Sequence, residues 1–187
     1  ILTVADIRAV GPRVWNGWKG QLIQELYNEA AADLSAGRTR LDRKERVEGA
    51  KNSLRAALKN WTEDDKEAHV ARGYPSYWLS FDTDSHVRHA HLIRGADEAG
   101  RTFMFDARID EVRAVTEVTI YCPVHHGLFT GIAGAMAVSG ANIVDARVSS
   151  TTDGMALDVF GIQNASGGPY ERPEHLERLA NTIEETL

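Results

Sequence analysis

The sequence predicts an α+β fold in which a helical first half is followed by a small sheet domain of the split βαβ type. Before residue 100, apolar residues recur every three or four positions, which is the helical period. After Gly100, short runs rich in β-branched and aromatic residues predict strands. Charge divides at the same place, because residues 1–100 hold 15 basic and 15 acidic residues whereas residues 101–187 hold 6 and 12. We therefore predict a helical segment over 1–98 and a sheet domain over 99–187.

The helical segment is expected to contain four to six helices. Each predicted helix carries one apolar stripe or begins at a residue suited to capping. The first of these helices is predicted to begin after Gly11-Pro12, and its stripe consists of Trp15, Trp18, Leu22, Leu26 and Ala30. The second spans about 43–61, the third begins at Thr62, and the fourth covers 73–81. The fifth runs from Asp82 or Asp84 to about Ala96.

The sheet domain is predicted to lack one strand of its pattern and to replace it. The predicted strands cover 101–108, 117–122, 142–150 and 155–162, and the predicted helices cover 127–139 and 171–187. From residue 117 onward the order is βαββα, which is the split βαβ pattern without its last strand. Because the open edge would otherwise be exposed, we expect 101–108 to pair with 117–122 as an antiparallel hairpin in the missing strand's place. Asp153-Gly154 predicts a two-residue turn between the last two strands.

Composition bounds the classes of function. The net charge of −6 argues against nucleic acid as a partner. The sequence contains no run of about 18 apolar residues, so no membrane span is predicted. One cysteine, Cys122, excludes an internal disulfide and is typical of a cytoplasmic protein. The first residues contain neither an initiator Met nor a signal peptide, so we expect the chain to be part of a longer one.

One stretch combines groups that favour an amino-acid ligand. After the strand ending near Cys122, Gly127 begins a helix whose free first-turn N–H groups and dipole favour a carboxylate. Gly127 also allows close approach to the backbone. Asn142 is expected beside this loop, where its amide could donate to and accept from a zwitterion. The alternative is that the glycines serve turns and Asn142 begins a strand. The predicted ligand-binding residues are Val124, His125, His126, Gly127, Leu128, Phe129, Asn142 and Ile143.

No catalytic or metal site is predicted. His86 and His89 share a helix face while His91 lies well round it, so a partly exposed helix docked on the sheet is favoured over a metal site. The side chains of the sequence neighbours His125 and His126 are not expected to converge on one atom. Cys122 is expected to be an inert thiol in the core.

The loop resembles that of the ACT domain, a ferredoxin-like module. The first ACT loop commonly reads Pro-Asp-x-Pro-Gly-Leu, and the second ACT strand begins Gly-x-Asn-Ile. Here residues 123–128 and 140–143 match those two motifs, except that Val124 replaces the usual Asp and His126 replaces the usual Pro.

Longer stretches resemble the C-terminal regulatory part of the bifunctional PII uridylyltransferase/uridylyl-removing enzymes. The stretches are ADIRAVGPRVWNGWKGQLIQELY, VRHAHLIRGAD and most of 116–169. The resemblance implies the tail of an HD phosphohydrolase domain, linker helices, and the first of two ACT domains that report glutamine. It also implies the PII protein as a partner, and Mg²⁺ or another divalent metal as a cofactor, of the full-length family. Asp6 matches the last metal ligand of the HD pattern, but its companion ligands lie upstream, so no cofactor is expected in this chain.

Two functions follow from these observations. The first is regulatory sensing of glutamine or a related amino acid. The second is a non-ligand-binding ACT interaction module, whose sheet edge pairs with a second ACT domain or with a homodimer partner. A free-standing metallohydrolase has only Asp6 in its favour.

Overall fold

The computed structural model describes residues 39–187, so the helix predicted after Gly11-Pro12 lies outside the described residues. The described part contains helices on both faces of one antiparallel sheet. Its elements are α1 (Thr39–Ala57), α2 (Glu63–Arg72), α3 (Pro75–Ser80), α4 (Thr83–Ala99), β1 (Met104–Asp110), β2 (Val115–Pro123), α5 (Leu128–Val138), β3 (Asn142–Ser150), β4 (Met155–Gln163) and α6 (Pro173–Thr186).

The predicted helix caps form as the sequence indicates. Thr62 Oγ1 accepts a hydrogen bond from the Asp65 N–H at 3.1 Å, and Asp82 Oδ1 accepts one from the Ser85 N–H at 2.8 Å. Asp82 is therefore the cap of α4 rather than Asp84. The helix continues past Ala96 and ends at Gly100, which adopts φ +62° and so supplies the left-handed residue that a helix end requires.

The strand predicted to replace the missing one does so. The sheet order is β1-β2-β4-β3, with every neighbouring pair antiparallel. Strand β1 covers the edge of β2 in a register that runs from Met104 opposite Tyr121 to Asp110 opposite Val115. It spans 104–110 rather than 101–108, because pairing continues to the turn in which Ala114 adopts φ +50°. The predicted α+β, ferredoxin-like arrangement is confirmed.

One core lies between the sheet and helices α5 and α6. Alternate residues of β2 and β4 face this layer, as the two-residue period of a strand requires. The buried residues of this core are Val118, Ile120, Cys122, Leu128, Ile132, Ala135, Met136, Ala141, Ala156, Phe160, Ile162, Tyr170, Leu179 and Ile183.

The opposite face of the sheet is covered by the helices that precede it. Tyr121 of β2 and Leu157 of β4 join a second core with buried residues of α1–α4. Residues 47–187 form one compact unit. Because both faces are covered, eight of the nine residues of β2 are buried. The domain boundary at 98–99 stays a prediction.

A partly buried ion pair joins α4 to the sheet. Arg88 Nη2 lies 2.5 Å from Glu117 Oε1, and Arg108 Nη2 approaches the same oxygen at 3.8 Å. The Glu117 side chain is only 11% exposed. Since an unpaired buried carboxylate is costly, these two cations make it acceptable at the helix–sheet interface.

The turn between β3 and β4 lies where Asp153-Gly154 predicts it but contains three residues. The Thr151 N–H donates to the Met155 carbonyl at 2.7 Å, while the Met155 N–H donates to Thr151 Oγ1. Gly154 adopts φ +83°. A three-residue turn that ends in a left-handed glycine is a common hairpin connection.

Replacing Gly73 with alanine is expected to destabilise the unit by about 1–3 kcal/mol. A Cβ at Gly73 would lie 2.7 Å from Trp78 Nε1 and 2.9 Å from Tyr77 Cδ1, and Trp78 is fully buried. Urea denaturation measures the change. Gly49→Ala is the matched control, since no atom lies within 4 Å of the added Cβ and alanine favours a helix. Equal stabilities of the two variants would contradict the prediction.

Candidate functional site

The loop between β2 and α5 lies at the surface. Val124 is 50% exposed, and His125, His126 and Gly127 are exposed as well. His125 Nδ1 lies 3.1 Å from the His126 carbonyl oxygen, so the ring turns back on its own loop. The His125 imidazole therefore contacts the backbone of its own loop, and the absence of a joint catalytic group stays a prediction.

Helix α5 begins at this loop without a side-chain cap. Its N-cap residue is Gly127 with φ +84°, and in the described part of the chain no side chain accepts a hydrogen bond at that position. The Leu128 N–H donates to the His125 carbonyl at 3.3 Å, and the Gly131 N–H donates to the Gly127 carbonyl at 2.9 Å. The helix start therefore retains backbone donors and the positive end of its dipole facing the exposed loop.

The next two residues have different surroundings. Leu128 is buried in the core between the sheet and α5. Phe129 is 45% exposed, and its ring stacks on that of Phe160 with centroids 5.8 Å apart. Leu128 thus fixes the first turn of α5 to the sheet, while Phe129 provides an apolar surface beside the loop.

Asn142 does not lie beside the loop of its own chain, and that expectation is wrong. Strand β2 ends with Pro123 opposite Met155, whereas Asn142 at the start of β3 pairs with Gln163. Met155 and Gln163 are the two ends of β4, about 26 Å apart at roughly 3.3 Å per residue. Helix α5 runs back along the sheet, so β3 starts at the far end, and Ile143 starts there too. The Asn142 amide donates to the Asn164 carbonyl at 3.4 Å.

The structure brings together the other six predicted residues, Val124 to Phe129, in one loop and helix start. The two from β3 are separated from them by the length of the sheet. A pocket within a single copy of this fold therefore does not contain the carboxamide.

A buried carboxylate below α5 is absent from the sequence prediction. Asp158 of β4 is 1% exposed and lies between the core residues Ala156 and Phe160 on the same strand face. Its Oδ1 accepts a hydrogen bond from the Ser149 N–H at 3.3 Å, while Oδ2 is buried without a partner among residues 39–187. Burial raises the pKa of Asp158 to about 6. The sequence signal was an aspartate in phase with apolar neighbours in a strand.

Cys122 lies in the core between the sheet and α5, as the sequence predicts. It is fully buried, and burial together with the nearby Asp158 raises its pKa to about 12. The thiolate that nucleophilic chemistry requires is therefore scarce at neutral pH.

His86 and His89 are core residues on the buried side of α4. Each is 1% exposed, and the His89 ring meets Phe81 edge-on at 4.9 Å and accepts or donates a hydrogen bond with the Tyr77 hydroxyl at 3.2 Å. Burial lowers the pKa of both, that of His89 to about 3. Helix α3 covers this face of α4, while His91 on the same helix is exposed, so α4 is partly exposed and docked on the sheet.

The described residues do not fit a resident metal ion. Within 39–187, no group of three or more His, Cys, Asp or Glu side chains converges as metal ligands would. Asp6, the residue that resembles an HD-domain ligand, lies outside the described range. Among the described helices, none is both long and apolar enough to cross a membrane.

A small, partly open cavity of about 10 Å³ lies between the helical layer and the sheet, beside Arg72, Tyr77 and Thr151. This volume suits about one water molecule, so the cavity is far too small for an amino acid.

Comparison with known proteins finds relatives that align with the whole chain. No family model matches the chain. The bifunctional uridylyltransferase/uridylyl-removing enzyme of Azospirillum brasilense is 48% identical over 188 residues. Those of Rhodopseudomonas palustris and Rhodospirillum rubrum are 46% identical over 187 residues and 43% identical over 186 residues. The sequence corresponds to one region of this enzyme family. Each alignment covers 100% of the chain but 20% of the relative, so the chain spans about a fifth of the length of these enzymes.

Proposed function

We propose that the chain is the amino-acid-sensing region of a bifunctional uridylyltransferase/uridylyl-removing enzyme, with glutamine as the ligand and an ACT-type sheet domain as the sensor. The single observation that carries the proposal is the start of α5, where uncapped backbone donors face an exposed loop. The names of the relatives and the ferredoxin-like fold support the same assignment.

The ligand site is proposed to be shared between two domains of this fold. A ligand held by the start of α5 cannot also reach Asn142 of the same copy, because the two lie at opposite ends of the sheet. A second domain placed alongside β3 in the opposite direction would bring its own Asn142 to the loop of the first. Within residues 39–187, strand β3 is an edge strand of the sheet, and no described strand pairs with its outer side, where such a neighbour could pair.

Each part of glutamine has a partner in this arrangement. The α-carboxylate would accept hydrogen bonds from the first-turn N–H groups of α5, and Gly127 leaves room for it. The Asn142 amide of the neighbouring domain would donate to or accept from the polar groups of the ligand. Binding then favours the paired state over the unpaired one, and couplings of about 1–3 kcal/mol are typical of such switches.

Asn142→Asp is expected to weaken glutamine binding more than tenfold, since it replaces an amide donor with a charge that repels the ligand carboxylate. Isothermal titration calorimetry measures the affinity. Asn181→Asp, an exposed position in α6, adds the same charge elsewhere and is the control. Equal affinities of the two variants would exclude Asn142 from the site, and no heat at millimolar glutamine with the unmodified chain would overturn the sensing proposal.

Mixing two defective variants tests whether the site is shared. Gly127→Ala places a Cβ at the helix start with an unfavourable φ, and Asn142→Asp alters the other half of the site. In a shared site, a mixed pair retains one site built from two intact halves, so the mixture would regain binding that neither variant has alone. A mixture that stays inactive would place the whole site within one copy.

The alternative is an interaction module that binds no ligand. The exposed apolar residues Ile143 and Val148 of the edge strand β3 favour it, since they offer surface to a second ACT domain or a homodimer partner. Sedimentation mass with and without glutamine separates the two functions. A dimer that forms equally in both conditions, without heat of binding, would support the alternative.

We propose the activities of the full-length relatives for the longer enzyme and not for this chain alone. Uridylylation and de-uridylylation of the PII protein, and a divalent metal such as Mg²⁺, are proposed for the longer enzyme. Residues 39–187 do not supply a metal site for that chemistry. A cytoplasmic location remains a prediction based on the single cysteine.

A further inference from the structure

The turn between β3 and β4 caps helix α2 from a distance of about 80 residues along the chain. The Thr152 N–H donates to the Arg72 carbonyl at 2.9 Å, and Thr152 Oγ1 donates to the Ala71 carbonyl at 3.2 Å. Gly73 also forms an isolated β-bridge with Thr151. Since α2 ends at Arg72, these carbonyls have no partner within the helix. The last turn of α2 therefore depends on the hairpin turn for its hydrogen bonds.

The Arg72 side chain strengthens this contact with charge. Its Nη2 lies 2.8 Å from Asp97 of α4, and its Nε lies 3.4 Å from Asp153 of the turn. The guanidinium thus connects the end of α2 to another helix and to the turn. Arg72 acts here as a positioning residue, because it touches the turn and not the proposed ligand.

The same turn is bonded to the candidate ligand loop. The Val124 N–H donates to the Gly154 carbonyl at 3.0 Å. Val124 is the first residue after β2, directly before the histidines of the loop. Within the turn, the Gly154 N–H donates to the Thr151 carbonyl at 3.2 Å, and the Thr151 hydroxyl reaches Asp153 at 2.5 Å. A few consecutive hydrogen bonds therefore connect the loop with the end of α2.

We propose that the β3–β4 turn, residues 152–154 together with the flanking Thr151, transmits a change at the β2–α5 loop to the last turn of helix α2. A shift of Val124 moves Gly154, and the three-residue turn carries Thr152 with it, so that the α2 carbonyls gain or lose their cap. This inference deepens the sensing function and rests on it for the identity of the ligand. The connection itself is a property of the fold and is testable without a ligand.

The ligand-free test compares two substitutions at Val124. Val124→Pro removes the N–H that bonds to Gly154, whereas Val124→Ala keeps that N–H and shortens only a half-exposed side chain. Amide hydrogen exchange of residues 69–73 is measured in both. Exchange is expected to be about three- to tenfold faster in the proline variant, the factor that follows from losing one hydrogen bond. Equal exchange rates in two folded variants would overturn the proposal.

A double substitution guards against a local effect of proline. Thr152→Val removes the hydroxyl bond to the Ala71 carbonyl while leaving the backbone N–H. If the loop acts on α2 through the turn, the two substitutions affect the same connection. The fold-increase in exchange rate at 69–73 in the variant that carries both Val124→Pro and Thr152→Val is then smaller than the product of the two single-variant increases. Independent effects that multiply would show two separate routes and contradict the proposal.

The ligand test uses glutamine with the unmodified chain. Bound glutamine is expected to slow exchange at residues 124–129 and also at 69–73, and Thr152→Val is expected to remove most of the second response while keeping the first. Thr182→Val in α6 removes a hydroxyl that bonds within its own helix and is the matched control. Glutamine that binds and protects the loop while leaving 69–73 unchanged would overturn the transmission. Absence of binding heat would overturn the sensing function instead, and the Val124 comparison would still decide the connection.

Discussion

Acidification from pH 7 to pH 4 is expected to lower the free energy of unfolding by about 3 kcal/mol or more, with buried histidines as the main cause. Burial, together with nearby Arg72, lowers the pKa of His69 to about 4. Burial and the neighbouring Arg88 lower that of His89 to about 3, and burial also lowers that of His86. In the unfolded chain a histidine has a pKa of about 6.5.

The sign follows from which state binds protons. Between pH 6.5 and pH 4 the unfolded histidines take up protons while folded His69 and His89 stay largely neutral, so acid favours unfolding. Each contributes about 3 kcal/mol over this range, at about 1.36 kcal/mol per pH unit. Asp158 acts in the opposite direction, since its pKa is raised to about 6 and it is protonated in the folded state first. Its contribution of about 3 kcal/mol offsets one histidine.

His69→Phe isolates one of these contributions. The variant keeps an aromatic ring at the edge of Trp61 but cannot bind a proton, so its loss of stability between pH 7 and pH 4 is expected to be about 3 kcal/mol smaller than that of the unmodified chain. Urea denaturation at a series of pH values measures this. His91→Phe changes the other ring that meets Trp61 edge-on. Its free energy of unfolding at pH 7 shows how much a His-to-Phe change against Trp61 costs in packing alone. Identical pH dependence of His69→Phe and the unmodified chain would contradict a neutral buried His69.

Asp158→Val is expected to stabilise the unit by about 3 kcal/mol above pH 7, an effect that disappears near pH 4. The raised pKa means that the folded state disfavours the charged carboxylate, and the penalty is present above pH 6 and lifted as pH falls toward about 3.9, the value for an unfolded aspartate. Valine suits a buried strand position beside Ile120 and Phe160. Thermal or urea unfolding at pH 8 and pH 4 measures the difference.

Two further substitutions sharpen this prediction. Asp106→Val makes the same chemical change at an exposed position of β1 and is expected to alter stability by no more than about 0.5 kcal/mol. Asp158→Asn removes the charge but adds amide donors that need partners, so its gain should be smaller than that of valine. A destabilised Asp158→Val at pH 8 would mean that the carboxylate is satisfied in the folded chain.

The helices and strands of the described residues could be predicted from the sequence, because periodicity and capping are local properties. The role of β1 as the strand that covers the edge of β2 could be predicted as well. Thr62 and Asp82 mark helix starts through their own side chains, whereas α4 ends at Gly100, a few residues beyond the predicted end near Ala96. The replacement of the missing strand was predictable because an open edge next to β2 has a cost that a neighbouring strand removes. Strand ends shifted by a few residues, as with β1, where the turn geometry decides the last pair.

The location of Asn142 was not predictable from motif spacing, because it depends on the direction in which α5 returns along the sheet. Adjacency along the chain suggested adjacency in space, whereas a helix of 11 residues carries the chain to the other end. The burial of Asp158 and of His86 and His89 likewise depends on which helices cover each face. Such tertiary contacts leave only a weak sequence signal, a polar residue in phase with apolar ones.

The placement of β1 bears on how the sheet assembles. Its partner β2 follows after a turn of four residues, 111–114, so this edge closes through local chain contacts. A strand arriving after α6 would have to close a loop of more than about 60 residues, at an extra entropic cost of about 2 kcal/mol. Low contact order favours rapid folding, so we expect the β1–β2 hairpin to form early and to template β4. A later segment of the same polypeptide could then not pair with this edge of β2, because β1 already occupies it.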